Sequence, residues 1–158
     1  QDVMPVSVWS EKPYEEWEAG YKDIMHGRSK IENHYFCLIE DQDQKILGFG
    51  VAGYVYPESR HNLPLHWIHE IFLDPDQTGN GYGKHIMNAM AQYMLDDDAK
   101  ICGLCVGKTN KRAQKFYEDT GAKILRDFDD NIVHGYKVPA HIYQWDDVEL
   151  LYKNTKSD

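Results

Sequence analysis

The chain predicts an α/β fold in a single domain spanning residues 1–158, built on a mixed, mostly antiparallel sheet. Three observations carry this. Short apolar runs, joined by a tight polar turn at 34–56 and by a longer arm at 122–147, read as strand pairs. A strand, a helix and a second strand between 66 and 106 form one crossover unit, whose two strands must be parallel. The 158 residues, 42% hydrophobic and 27% charged, suffice for one core without disulfide or metal staples.

The elements follow in order. A short strand is expected around Val3 to Val8. A helix follows from Pro13 to His26, where Tyr14, Trp17, Tyr21, Ile24 and Met25 recur at helical spacing after the entry signals Ser10 and Pro13. HYFCLIE, a turn at DQDQK and ILGFGVAGYVY read as a hairpin with a glycine-rich second strand, and PESRHNLPL as a loop. HWIHEIFL, residues 66–73, is a strand closed by Asp74 and Pro75. From Gly83, the residues Ile86, Met87, Met90, Ala91, Met94 and Leu95 form one helical stripe, the methionines filling core. ICGLCV is the second parallel strand. The next helix opens at Thr109 or Asn110 as N-cap and closes at Gly121. AKILRDF and HIYQWDD end the sheet, joined by an arm holding Gly135 and Pro139, and residues from about 147 to 158 read as a C-terminal tail.

Composition excludes several classes of function. The net charge of −9, without a basic stripe, argues against nucleic acid as a partner and favours cationic ones such as amines. No run approaches the roughly 20 apolar residues of a membrane span. QDVMPVSVWSE lacks the basic start and apolar core of a signal peptide, so the cytoplasm is the expected compartment. Three cysteines do not form a disulfide framework. Cys102 and Cys105 form a CxxC, but on a strand residues three apart point to opposite faces and share neither metal nor disulfide. His66 and His69 are separated in the same way, and no metal site is expected.

The functional signal is QTGNGYGKHIMNAM, residues 77–90, a glycine-rich turn opening a helix, which suits an anion. It is not the NTPase P-loop, which needs glycine at Thr78 and a hydroxyl at His85. Nor is it the dinucleotide fingerprint, which needs glycine at Lys84. What remains is a turn whose backbone N–H groups converge on phosphate, with Gly81 and Gly83 permitting close approach. Lys84, Lys108, Lys111, Arg112 and Lys115, nearby in sequence, soften the repulsion from the acidic chain.

Two stretches resemble the GNAT superfamily of acyl-CoA-dependent N-acetyltransferases. EIFLDPDQTGNGYGKHIM is similar to that family's strand, pyrophosphate loop and helix, and NKRAQKFYEDTGAKI to its N-x-x-A-x-x-F-Y-E-x-x-G motif. The resemblance covers about residues 35–146 and implies a GNAT-like sheet with helices on both faces, a single acetyltransferase domain and acetyl-CoA as cosubstrate. It admits a homodimer. Carried over residue by residue, it implies cofactor contacts from Ile71, Phe72 and Leu73, from the loop Thr78, Gly79, Asn80, Gly81, Tyr82, Gly83 and Lys84, and from Asn110, Ala113 and Phe116. Thr78 departs from the family, which usually has Gln or Arg there; Gln77 is one residue early.

Amine attack on a thioester needs a neutral amine, donors for the carbonyl oxygen and a proton for the leaving thiolate. By resemblance Tyr117 supplies the last, and backbone N–H groups near Phe72 and Leu73 the second. His69, or the adjacent Glu70, is the candidate base; strand neighbours face opposite ways, so both serve one pocket only across a bulge. The acceptor would lie against the first helix, the loop 57–65 and the arm 129–140, where Asp127, Asp129 and Asp130 either attract a cation or form a solvated face. The resemblance, with the acidic chain, implies acetyl transfer to a small amine or polyamine. The rivals are a protein N-terminal or lysine acetyltransferase, a non-catalytic acyl-CoA-binding module and a nucleotide-binding protein.

Overall fold

A computed structural model of the chain describes residues 31–133 and 136–156. The strand and helix expected before residue 31 lie outside the described residues. The elements are β1 (Tyr35–Glu40), β2 (Ile46–Tyr54), β3 (His66–Leu73), α1 (Tyr82–Asp96), β4 (Cys102–Gly107), α2 (Lys111–Asp119), β5 (Lys123–Phe128), β6 (Ile132–Val133), β7 (Tyr136–Lys137), β8 (Ala140–Trp145) and α3 (Val148–Thr155). Six strands form one sheet in the order β1-β2-β3-β4-β8-β5, and β6 and β7 make a small hairpin in the arm. Every pairing is antiparallel except β3 with β4.

Local chemistry explains the hairpin and the helix that packs on it. The β1–β2 turn is tied by the Asp41 carboxylate, which accepts from the amides of Asp43 (2.9 Å) and Lys45 (3.0 Å). Gly50 lets α1 approach: a Cβ there would lie 2.5 Å from the Ile86 Cγ2 and 2.9 Å from the Met90 sulfur. The expected α1 stripe is buried at Ile86, Met87, Met90, Ala91 and Met94.

β3 and β4 are in ladder register only at His66 with Cys102 and Trp67 with Gly103. The Trp67 ring lies over Gly103, where a Cβ would come within 2.6 Å of it. Past this rung the strands separate, leaving the β4-facing edge of β3 without a ladder partner. That opening sits at the carboxyl ends of a parallel pair, where α/β sheets place ligands.

β3 also carries a bulge. Val51 pairs with Glu70 and Ala52 with Ile68, so His69 is the extra residue. Ile68, Ile71 and Leu73 consequently pack on the same core, although 68 and 71 differ in strand parity. His69 and Glu70 therefore both turn to the opposite face.

All three described helices share one core with residues of β2, β3, β4 and β8. The segment read as a tail is instead helix α3. Asp147 caps it, its carboxylate accepting from the Leu150 amide at 3.1 Å, and Val148, Leu151 and Thr155 are buried. Asn88 of α1 donates to the Tyr152 carbonyl (2.8 Å) and to the Thr155 hydroxyl (3.2 Å). Burial against α1 stabilises this short helix, which would be marginal alone.

At the other end of α1, one Asp97 oxygen accepts from Tyr54 Oη (2.9 Å) and Asn33 Nδ2 (2.8 Å) and pairs with His66 Nε2 (2.8 Å). His66 and then Tyr54 hold the Asp97 carboxyl below the usual carboxylate range. This clasp fixes the base of β3 to the end of α1.

Candidate active site

A cleft of about 460 Å³ lies between the free end of β3, the loop before α1, and α2. The loop sequence dictates its form. Asp74 accepts from the Asp76 amide and Pro75 starts a 3-10 turn; Gly79 and Gly81 then take positive φ of 91° and 84°. Gly81 is the N-cap of the 15-residue α1. Thr78 Oγ1 donates to its own turn, to the Pro75 carbonyl at 2.7 Å. The amides of Lys84 and His85 bond to the Gly81 carbonyl, whereas those from Gly79 to Gly83 have no acceptor among the described residues. They are free donors at the positive end of a helix dipole, an arrangement suited to a phosphate.

The walls are set by β3 and α2. Ile71 and Leu73 line one side; Asn110, Ala113, Phe116 and Tyr117 line the other. Asn110 caps α2, its Oδ1 accepting from the Ala113 amide at 3.1 Å, and still reaches the cleft. Gly83 faces Phe116 and Leu73, whose nearest atoms would lie 3.4 and 3.5 Å from an added Cβ.

Of the residues expected at the cofactor, Ile71, Leu73, Thr78, Gly79, Gly81, Gly83, Lys84, Asn110, Ala113 and Phe116 meet in this one cleft. Asn80 and Tyr82 belong to the loop without lining the cleft. Phe72 points to the other face, stacked on Phe49 at 5.5 Å, which is itself stacked on Phe36. Arg112 lines the cleft as well, a position that the motif leaves variable and only proximity reveals.

Tyr117 is half-buried in the cleft wall against Tyr143 and Trp145, and burial pushes its phenol up to about 12. His69 and Glu70 sit across β3 from it. The His69 Nε2 lies 3.0 Å from the Tyr54 carbonyl. A carbonyl only accepts, so Nε2 carries the proton and Nδ1 keeps its lone pair. Burial lowers the His69 pKa, opposed in part by that hydrogen bond, and the ring stays neutral at pH 7. Tyr56 packs edge-on against His69 at 5.3 Å. Its phenol is raised by burial first, then by the nearby Glu70 and Glu58 carboxylates, which mark this side as acidic.

The other candidates have ordinary roles. Asp127 and Asp129 hold Lys108 at 2.8 and 2.7 Å, Asp127 also pairs with His141 at 2.8 Å, and Asp130 pairs with Lys137 at 3.0 Å. That acidic run is thus largely neutralised from within. Cys102 is fully buried and its thiol strongly raised; Cys105 lies on the opposite face, its thiol pushed up to about 11 by burial. Among the described residues no three metal-ligating side chains converge, and no helix is long and apolar enough to cross a membrane.

Residues 4–122 match the sequence model of the Acetyltransferase (GNAT) family. An uncharacterized N-acetyltransferase of Archaeoglobus fulgidus is 27% identical over 114 residues, 66% of this chain and 78% of that protein. One from Methanocaldococcus jannaschii is 43% identical over 112 residues, 65% of this chain and 50% of the relative. The thialysine N-epsilon-acetyltransferase of Bos taurus is 28% identical over 100 residues, 58% of this chain and 57% of its own length. The chain thus spans about half the length of the last two. Among solved structures, a variant of the spermidine N-acetyltransferase SpeG from Vibrio cholerae superposes with a TM-score of 0.61 at 15% identity, covering 84% of this chain and 73% of that one. Nourseothricin acetyltransferase gives 0.59 at 18%, covering 71% and 64%. At these identities the likeness is one of fold.

Proposed function

The chain belongs to the GNAT acetyltransferase family, and on that premise we propose that it moves an acetyl group from acetyl-CoA to a primary amine, a small amine or polyamine before a peptide, by direct attack in a ternary complex. One observation carries the reading: the unpaired edge of β3 separates a cleft of free amides and an apolar wall from a face bearing a neutral imidazole.

The cleft fits the cosubstrate. The amides of residues 79–83 would hold its diphosphate, and Ile71, Leu73, Ala113 and Phe116 its less polar arm. When bound, acetyl-CoA supplies an acetyl group activated as a thioester. On the far side of β3, His69 Nδ1 takes a proton from the acceptor's ammonium, directly or through water, and the neutral amine so formed attacks the thioester carbonyl. The bulge places Glu70 beside it, and the acidic surroundings of Tyr56 favour a cationic acceptor.

Tyr117 donates a hydrogen bond to the departing sulfur. With its phenol near 12 and an ordinary thiol near 8.5, full proton transfer to sulfur is uphill by about 5 kcal/mol, so the phenol acts mainly by stabilising charge. Neither Cys102 nor Cys105 is a thiolate at neutral pH, which supports direct attack over an acyl-enzyme.

Thiol release from acetyl-CoA, measured across alkylamines, polyamines, lysine analogues and peptides, tests this. Turnover should be highest with small cationic amines. Preference for peptides would favour the protein acetyltransferase, and tight binding with no thiol release from any acceptor would make the chain a binding module.

A further inference from the structure

Beyond Glu70 the outer face of the sheet, the one away from the described helices, turns apolar. Phe72 stands directly opposite Phe49, and Phe49 directly opposite Leu38, so β3, β2 and β1 each give one side chain to a row across the sheet. The rings of Phe72 and Phe49 stack at 5.5 Å, and Phe36 stacks on Phe49 at 5.8 Å. Phe72 ends the row and is 52% exposed; Leu38, at the other end, is 41% exposed. One ring face of Phe72 lies on Phe49, toward β2. Its other face turns to the β4 side, where β3 has no ladder partner past Trp67.

Phe72 therefore borders the opening at which the proposed transfer takes place. It follows Glu70 by two residues on the same face, about 7 Å along the strand. The surroundings of His69 change in kind over that distance. The Tyr56 ring and the Glu58 and Glu70 carboxylates stand around the imidazole, whereas the row beyond Glu70 is aromatic and aliphatic. An acceptor charged at one end and apolar along its body matches this division. A polyamine would lay a second ammonium on the row and give up hydration for a weak cation–π contact. An apolar body would instead cover a ring face that now meets water. We propose that Phe72 is a specificity-determining residue of the acceptor half of the site, its open ring face receiving the substrate's body, so that the protein prefers a primary amine carried on an aromatic or alkyl body over a polyamine. This inference rests on the proposed acetyl transfer and narrows its acceptor.

Thiol release from acetyl-CoA by the full chain, with 2-phenylethylamine, 1,4-diaminobutane and spermidine as acceptors, tests it on wild type, Phe72→Leu and Phe72→Ala. Wild type should use 2-phenylethylamine with a kcat/KM about tenfold or more above that of either polyamine, which one ring contact can supply. Phe72→Ala should raise KM for 2-phenylethylamine about tenfold with little change in kcat, and so remove the preference. Phe72→Leu, which keeps an apolar side chain, should hold part of it. Calorimetric affinity for acetyl-CoA should stay the same in both variants, because the ring lies across the sheet from the cleft. Equal use of the three acceptors by wild type, or preference for a polyamine, would overturn the proposal. So would Phe72→Ala lowering kcat for every acceptor by one factor, the mark of a structural role, or keeping every acceptor ratio while changing the sedimentation coefficient, the mark of a second copy covering the row. If wild type releases thiol with no amine at all, acetyl transfer itself fails and the specificity with it.

Discussion

Replacing Gly81 by valine separates the backbone demand of the loop from its role in binding. Gly81 sits at φ 84°, ψ −9°, and an added Cβ would meet nothing within 4 Å. The cost to folding is therefore conformational, about 2 kcal/mol for a β-branched residue in the left-handed region. For a domain of this size that lowers Tm by about 4–8 °C, well inside a stability of about 5–15 kcal/mol, so the variant folds. Gly81 lines the cleft, so the valine methyls should cut acetyl-CoA affinity at least tenfold. Gly83→Ala is the control for strain. Gly83 has ordinary helical φ, and its Cβ would lie 3.4 Å from Phe116, so alanine should hold or raise Tm by a degree or two while narrowing the cleft. Thermal unfolding and calorimetry on both variants decide the matter. If Gly81→Val unfolds as expected but binds acetyl-CoA like wild type, the loop is not the phosphate seat.

Further outcomes follow from the same geometry. Tyr117→Phe should lower turnover about tenfold or more with little change in acetyl-CoA affinity, and wild type should show no activity loss from phenol ionisation below about pH 11, since the group titrates near 12. His69→Gln should reduce turnover by about 10²–10⁴; in wild type the acid limb of kcat/KM should fall below pH 6.5, because burial lowers this imidazole, and the variant should lack that limb. Leu151→Ala should cost about 2–5 kcal/mol in chemical denaturation, as for a core residue; a change under 0.5 kcal/mol would return residues 147–158 to a tail. Asp97 contributes stability that is whole above its unfolded pKa near 4 and lost as pH falls through its lower folded value, so Asp97→Asn should flatten the acid side of the Tm profile.

Much of this protein is legible in local chemistry. The α1 stripe, the Asn110 cap, the positive-φ glycines at 81 and 121, and the split faces of Cys102 and Cys105 each depend on residues within a turn or two, so periodicity and backbone sterics suffice, although Gly79 rather than Gly83 is the loop's other positive-φ residue. The α3 helix was hidden because its stability comes from α1 rather than from its eight residues. The features that decide function depend on neighbours remote in sequence. His69 and Glu70 share a face only because the register with β2 slips at Ala52, which no pattern within β3 announces. The β3–β4 opening follows from how far two strands stay together after the Trp67–Gly103 rung. Among the cations near the loop, Lys108 is taken up by Asp127 and Asp129, which follow it by about twenty residues, a pairing that only the sheet brings about. The sequence by itself determined most of the elements, the glycine turn before α1 and the motif residues, since these are set by short-range sterics and capping. Only the tertiary structure decided which groups face one another across β3 and which charges pair, because register, bulge and ion pairing are properties of chain segments brought together.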